Sequence, residues 1–158
     1  MNVIKMMMLT AFVSFAAHAE GDDARLASEM KGVKVTLARG LKAASTTGKP
    51  ISGKFEVEKG KLQLSVYTAK DGAFSEVIVD HKTGKVTKTE PITGGDDLTA
   101  AKAQNDAMAS AKGSLEGVVK KAEKANKGYR AVSVVPSASS AEVMLMKGTE
   151  SKKVTEGW

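Results

Sequence analysis

Few residues of this chain are of the types that do covalent or metal chemistry, and their spacing decides what each can do. The only histidines are His18 and His81, and there is no cysteine. An imidazole can titrate near neutral pH or bind a metal, but a metal needs clustered ligands, and no second histidine lies near His81. His81 falls inside Asp80-His81-Lys82-Thr83-Gly84, which reads as an exposed turn. There Asp80 and Thr83 would hydrogen-bond neighbouring backbone, and Gly84 would supply a backbone angle that other residues resist. Asp22-Asp23 and Asp96-Asp97 are paired carboxylates, a combination that can bind calcium or share a proton. No loop of regularly spaced oxygen ligands follows either pair. Each precedes an alanine-rich stretch, so helix capping and opposition to the helix dipole are the expected roles. Serines are frequent, but no Gly-x-Ser-x-Gly elbow is present, and no base is spaced to activate a serine nucleophile. The expectation is a protein without catalytic residues, metal or cofactor.

Two further groups invite a binding role. Lys120, Lys124 and Lys127 share one helical face, with Arg130 just beyond, and could meet an anionic partner. Glu116 precedes Lys120 by four residues and Glu123 precedes Lys127 by four, pairs that neutralise the stripe in part and favour a solvated face. Met144 and Met146 could bind a soft metal, yet flanking Leu145 in an apolar run they fit core packing better.

The elements that would position these residues come in two passes. Alanine-rich helices are expected over about 24–31 and 98–112. A second helix follows in each pass. Thr36 precedes Leu37, Leu41 and Ala44, and Ser114 precedes Leu115, Val118, Val119 and Ala122. Each hydroxyl stands where an N-cap belongs, directly before the apolar periodicity. Between Gly53 and Ile92 the pattern turns to period two. Phe55 and Val57, then Leu62, Leu64 and Val66, then Val77 and Val79 alternate with polar residues, and a last strand starts at Val86. Asp71-Gly72 is a strong hairpin signal. After the second helix come strands around Val132 to Val134, Ala141 to Met146 and, briefly, Lys152 to Thr155. The second pass is one strand shorter than the first. Period-two alternation predicts a sheet with one packed and one wet face, and the amphipathic helices are the natural cover. Each pass is small for a stable core of its own, so the two are expected to pack together. The predicted organisation is a unit over 20–93 and an abbreviated unit over 94–158, with the boundary at Gly94-Gly95.

The first nineteen residues have the features of a cleaved secretory signal. Lys5 gives a positive start, residues 6–16 are apolar, and Ala17-His18-Ala19 is an A-x-A site. The expected mature chain begins at Glu20, in a periplasmic or secreted location. No other long apolar run exists, so no stable membrane insertion is expected. The net charge is +6, or +5 without Lys5. Lysines and glutamates are interspersed, which argues surface solubility rather than a nucleic-acid footprint.

The order of these signals resembles a PepSY domain. The resemblance rests on Ser52 to Val57, Lys61 to Tyr67, and the valine-rich strand Val77-Ile78-Val79 entering the Asp-x-x-Thr-Gly-Lys-Val turn at Asp80 to Val86. It covers about residues 35–92 well and about 114–157 more loosely. It implies an α+β fold of two cystatin-like units, each a helix against an antiparallel sheet. PepSY domains occur in propeptides of metallopeptidases, where they are thought to restrain the peptidase, and as free-standing exported proteins. The resemblance carries over no catalytic residues. The function expected on this basis is a non-catalytic interaction module that binds another envelope protein, a peptidase being one candidate. It would present a sheet edge or the open face beside Gln63, Ser65 and Tyr67. The alternative is a small-ligand carrier with a pocket between helix and sheet. The sequence does not specify the oligomeric state.

Overall fold

The computed structural model describes residues 20–158. The expected signal segment, residues 1–19, lies outside the described residues. The fold is α+β. Two helices, α1 (Glu20–Met30) and α2 (Leu37–Ala44), lead into four strands, β1 (Lys49–Glu58), β2 (Lys61–Lys70), β3 (Ala73–Val79) and β4 (Val86–Ile92). A second pair of helices, α3 (Gly95–Ala109) and α4 (Leu115–Ala125), leads into β5 (Arg130–Pro136), β6 (Ser140–Lys147) and β7 (Glu150–Gly157). All the strands join in one seven-stranded antiparallel sheet in the order β4-β3-β2-β1-β5-β6-β7.

Local signals account for most of these elements. The Thr36 hydroxyl accepts from Arg39 N at 3.2 Å, and Ser114 accepts from Gly117 N at 3.1 Å. Each thereby satisfies one of the open donors of a helix start. The end of α2 is closed by three successive hydroxyls: Ser45, Thr46 and Thr47 donate to the carbonyls of Lys42, Ala43 and Ala44. Asp71 and Gly72 both have positive φ, 52° and 77°. That is the geometry of the two-residue hairpin that matches strand twist, and it joins Lys70 directly to its partner Ala73.

The two passes meet along a thin seam, Gly53 opposite Val134 and Lys54 opposite Ser133. Above it α2 packs on α4, so one helix layer bridges both halves. Directly opposed residues share a face, and one row crosses the whole sheet beneath these helices: Thr89, Val77, Val66, Gly53, Val134, Val143 and Val154. The core sits between this face and the apolar stripes Leu37, Ala38, Leu41, Ala44 and Leu115, Val118, Val119, Ala122. α2 comes unusually near the strands: a Cβ on Gly40 would stand 2.4 Å from Leu64 Cδ2, and one on Gly53 would stand 3.0 Å from Leu41 Cδ2. At these two positions helix α2 and the sheet are in direct contact.

The opposite face departs from expectation. It was expected to be wet, but α3 crosses part of it, burying Asp97, Ala101, Gln104 and Met108. α3 starts at Gly95, with Gly94 as N-cap, so Asp97 lies inside the first turn rather than capping it from outside. Similarly, Asp22 and Asp23 lie within α1. The last strand is also longer than the short run expected, eight residues from Glu150 to Gly157.

Candidate interaction surface

Tyr67 and Ser65 project from the face of β2 opposite α2, because strand side chains alternate and Leu64 and Val66 take the other side. Neither is presented to a partner: both are 0% exposed. The Tyr67 hydroxyl donates to Asp97 Oδ1 of α3 at 2.7 Å. About two turns further along, Gln104 Oε1 accepts from Ser52 of β1 at 2.6 Å. These two bonds fix α3 across the face that was expected to be open. Ser65 donates to Glu76 Oε1 at 2.5 Å. Gln63 is half-buried and donates to Glu56 at 3.4 Å. The proposed contact trio thus belongs to a polar face that runs from buried Tyr67 and Ser65 to the half-buried ion pair Lys54–Glu56 at 2.6 Å, with Lys88–Glu90 at 2.8 Å on its exposed rim. Its buried members Tyr67, Asp97, Ser65, Glu76, Ser52 and Gln104 are hydrogen-bonded in pairs, as buried polar groups usually are, while the buried Ser133 hydroxyl on the same face has no partner among the described residues.

The electrostatics of this layer are those of scaffolding. Burial holds the Tyr67 phenol far above its ordinary range, with the Asp97 hydrogen bond and the charges of Asp97, Glu76 and Glu56 adding to it. Tyr67 therefore acts as a neutral donor. Burial also raises the Glu76 carboxyl, against the lowering effect of the Ser65 hydrogen bond, while Glu56 and Glu58 push it higher and Lys54 lowers it. A group whose pKa rises on folding stabilises the fold at low pH and loses that contribution as pH rises through the folded value. Glu76→Gln keeps an acceptor for Ser65 and removes the buried charge. It is expected to raise stability at neutral pH by about 1 kcal/mol, the scale of an imperfectly compensated buried polar group. Denaturant unfolding across pH checks this, and the gain should vanish at acidic pH, where Glu76 is protonated in the parent.

The turn after β3 is closed by its own side chains. Asp80 Oδ1 accepts from the backbone N–H groups of Thr83 at 2.7 Å and Lys82 at 2.8 Å, and the Thr83 hydroxyl accepts from Lys85 N at 3.3 Å. The two backbone bonds, Thr83 first, lower the Asp80 pKa, so this contribution is present at neutral pH and fades as pH falls through the depressed value. Gly84 has φ 77°, a conformation that favours glycine, and it lies against the exposed, movable side chain of Arg39 of α2. Arg39 also donates to the Thr83 carbonyl. The turn is a clasp on α2.

His81 is half-buried rather than exposed. Its carbonyl accepts from Lys34 N and Val35 N, tying the linker before α2 to the turn. Its Nδ1 is buried with no partner among the described residues, beside a shallow groove lined by Glu29, Gly60, Lys61 and Lys82. Among the described residues no group of His, Cys, Asp or Glu is arranged to hold a metal, and no helix is long and apolar enough to cross a membrane.

The lysine stripe of α4 is partly neutralised. Lys120 pairs with Glu116 at 2.5 Å. Glu123 instead accepts from Ala131 N at 2.9 Å and pins α4 to β5. Lys121, which the sequence did not single out, reaches Glu156 of β7 at 3.1 Å. Arg130 donates to the Met30 carbonyl of α1. Met146 is buried and Met144 half-buried, as packing residues.

What remains open is an edge. Among the described residues, β4 and β7 each pair on one side only. Proline at position 91 removes a donor from β4, and the apolar row ends there in exposed Thr89. β7 has no proline, and six of its eight residues are exposed. There the same row ends in Val154, half-buried against the core. The signal for this was present in the sequence as the missing strand of the second pass. No protein-family model matches the chain, no curated protein matches it, and no solved structure matches it.

Proposed function

We propose that this chain is an exported, PepSY-like protein of the cell envelope that works as a non-catalytic interaction module, holding an extended segment of another envelope protein along β7. A peptidase is one candidate partner. The observation that carries this reading is the unfinished β7 edge: a strand of eight residues that, among the described residues, pairs on one side only, has no proline and carries the half-buried Val154. An added strand would satisfy its backbone groups and cover Val154, which is how extended peptides are held at sheet edges. The division into two cystatin-like units belongs to the same proposal. It is supported by the repeated order of two helices followed by antiparallel strands, four in the first pass and three in the second. In the polar layer around Tyr67 the serine that meets a carboxylate, Ser65 on Glu76, is buried away from any substrate, which favours binding over hydrolysis.

A photo-crosslinking residue placed at Ser151, Lys153 or Thr155, followed by recovery from the envelope, tests the proposal. Adducts with one envelope protein at β7 positions, and none from Thr87 or Thr89 on the other edge, are expected. Equal capture from both edges, or none from β7, would overturn it.

A further inference from the structure

The pattern of side chains on β7 specifies its own complement. Val154 belongs to the row beneath the helices, so Lys152 and Glu156 flank it on that face, while Ser151, Lys153 and Thr155 occupy the other. Lys152 lies over the Tyr129 ring at 5.2 Å, and Glu156 is held by Lys121 of α4. Both side chains are thus kept on the helix side, flanking Val154. An antiparallel strand that satisfied this face would read, from its N-terminus, basic, any residue, apolar, any residue, acidic. β7 itself reads Lys152-Lys153-Val154-Thr155-Glu156.

We propose that the β7 edge is filled by β7 of a second copy, in a two-fold dimer centred on Val154 that continues the sheet. The inference rests on the reading of β7 as the binding edge and names its occupant in the resting protein. In this register Val154 meets the partner's Val154. Lys152 meets the partner's Glu156, and Glu156 meets Lys152 of the partner subunit. On the other face Lys153 stands opposite the partner's Thr155. Neighbouring registers that keep both helix layers on one side are worse. Centring on Lys153 sets it against Lys153 of the partner subunit and sets Glu150 against the partner's Glu156. Like charges directly opposed are destabilising. Centring on Thr155 sets Val154 against the partner's Glu156. One register alone therefore joins apolar to apolar and opposite charges twice, which is how a strand edge acquires a specified partner. Lysines on an edge discourage indiscriminate pairing, and here the glutamate four residues on restores it for one geometry. The seat is isologous, as a two-fold interface requires.

Charge exchange tests the register itself. In Lys152→Glu, both cross-pairs become acid against acid, and in Glu156→Lys both become base against base. Each variant alone is expected to dissociate at least about tenfold more readily than the parent by sedimentation equilibrium, since two attractive cross-strand pairs turn repulsive. An equimolar mixture of the two variants restores opposite charges at both pairs, so a mixed dimer should reappear. Circular dichroism of each variant guards against simple unfolding, and recovery on mixing could not come from unfolded chains. A parent that stays monomeric at high concentration, variants as dimeric as the parent, or a mixture that stays monomeric would each overturn the dimer. Failure of the interaction reading is separable: a monomeric parent that still crosslinks an envelope protein through β7 sinks only the dimer, whereas a dimer whose monomeric variants capture nothing sinks only the envelope partner.

Discussion

Gly40→Val is expected to lower stability by about 3 kcal/mol, the upper end of the usual cost of forcing extra atoms into a packed core. The unfolding midpoint should drop on the order of 10 °C. The reason lies in how low α2 sits on the sheet. A bare Cβ at Gly40 would already stand 2.4 Å from Leu64 Cδ2 and 3.1 Å from Leu64 Cγ, and Leu64 is fully buried with nowhere to turn. Valine adds two methyl groups at that point and recovers only a few tenths of a kcal/mol of helix propensity over glycine. Raising α2 would also pull Leu37 and Leu41 off Gly53 and Arg39 off the Asp80–Gly84 clasp. The contact predicts its own remedy. Leu64→Ala is destabilising alone, by about 2–5 kcal/mol, but in the Gly40→Val background it should cost clearly less, because the cavity it leaves accepts the new methyls. A double-mutant cycle measures that coupling. Strict additivity of the two changes would show that α2 does not rest on Leu64.

Tyr67→Ala should be more damaging, by about 3–5 kcal/mol, the range for deleting a buried aromatic ring. Tyr67 is fully buried, and its hydroxyl meets a carboxylate that is itself only 5% exposed. Tyr67→Phe separates the two contributions. The ring stays, while Asp97 loses a donor, and a hydrogen bond to a charged group is worth about 1.5–3 kcal/mol. The two variants differ in what they release. With the ring retained, α3 loses one of its polar anchors and keeps Gln104 on Ser52 and the Met108 carbonyl on Lys49. Hydrogen exchange in Tyr67→Phe should therefore quicken most in the first turns of α3, around Asp97 and Ala101, with the α2–β2 core little changed. Uniform quickening across the sheet would mean that Asp97 and Tyr67 do not hold α3 in place.

Both results depend on features that differ sharply in how readable they were. The face of α2 announces itself, with a hydroxyl cap and leucines four apart. α4 does the same. The Asp71-Gly72 hairpin and the alternating valines were equally plain, because turn dihedrals and strand pleating act within a few residues. α3 was legible as a helix, but its placement was not. Its buried stripe is Asp97, Ala101, Gln104 and Met108, two of them polar, so a search for apolar periodicity finds no face to bury. Asp97 looked like a cap because aspartates near helix starts usually are, and a tyrosine hydroxyl thirty residues away claimed it instead. The same misreading made Ser65 and Tyr67 look available. Alternation tells which face a strand residue takes, and it does not tell what lies over that face.

By itself, then, the sequence determined the class of fold, the caps, the hairpins and the shortened second pass, since propensity, capping and pleat period are set by near neighbours along the chain. It also carried the Lys152-x-Val154-x-Glu156 pattern, without any sign that it mattered. The tertiary structure alone decided that one sheet runs through both halves, that α3 closes the second face, and that β7 is left at the rim with Val154 half covered. Those outcomes depend on long-range pairing, where a two-residue seam between β1 and β5 and two buried hydrogen bonds beneath α3 select one arrangement among several that the local signals would have tolerated equally well.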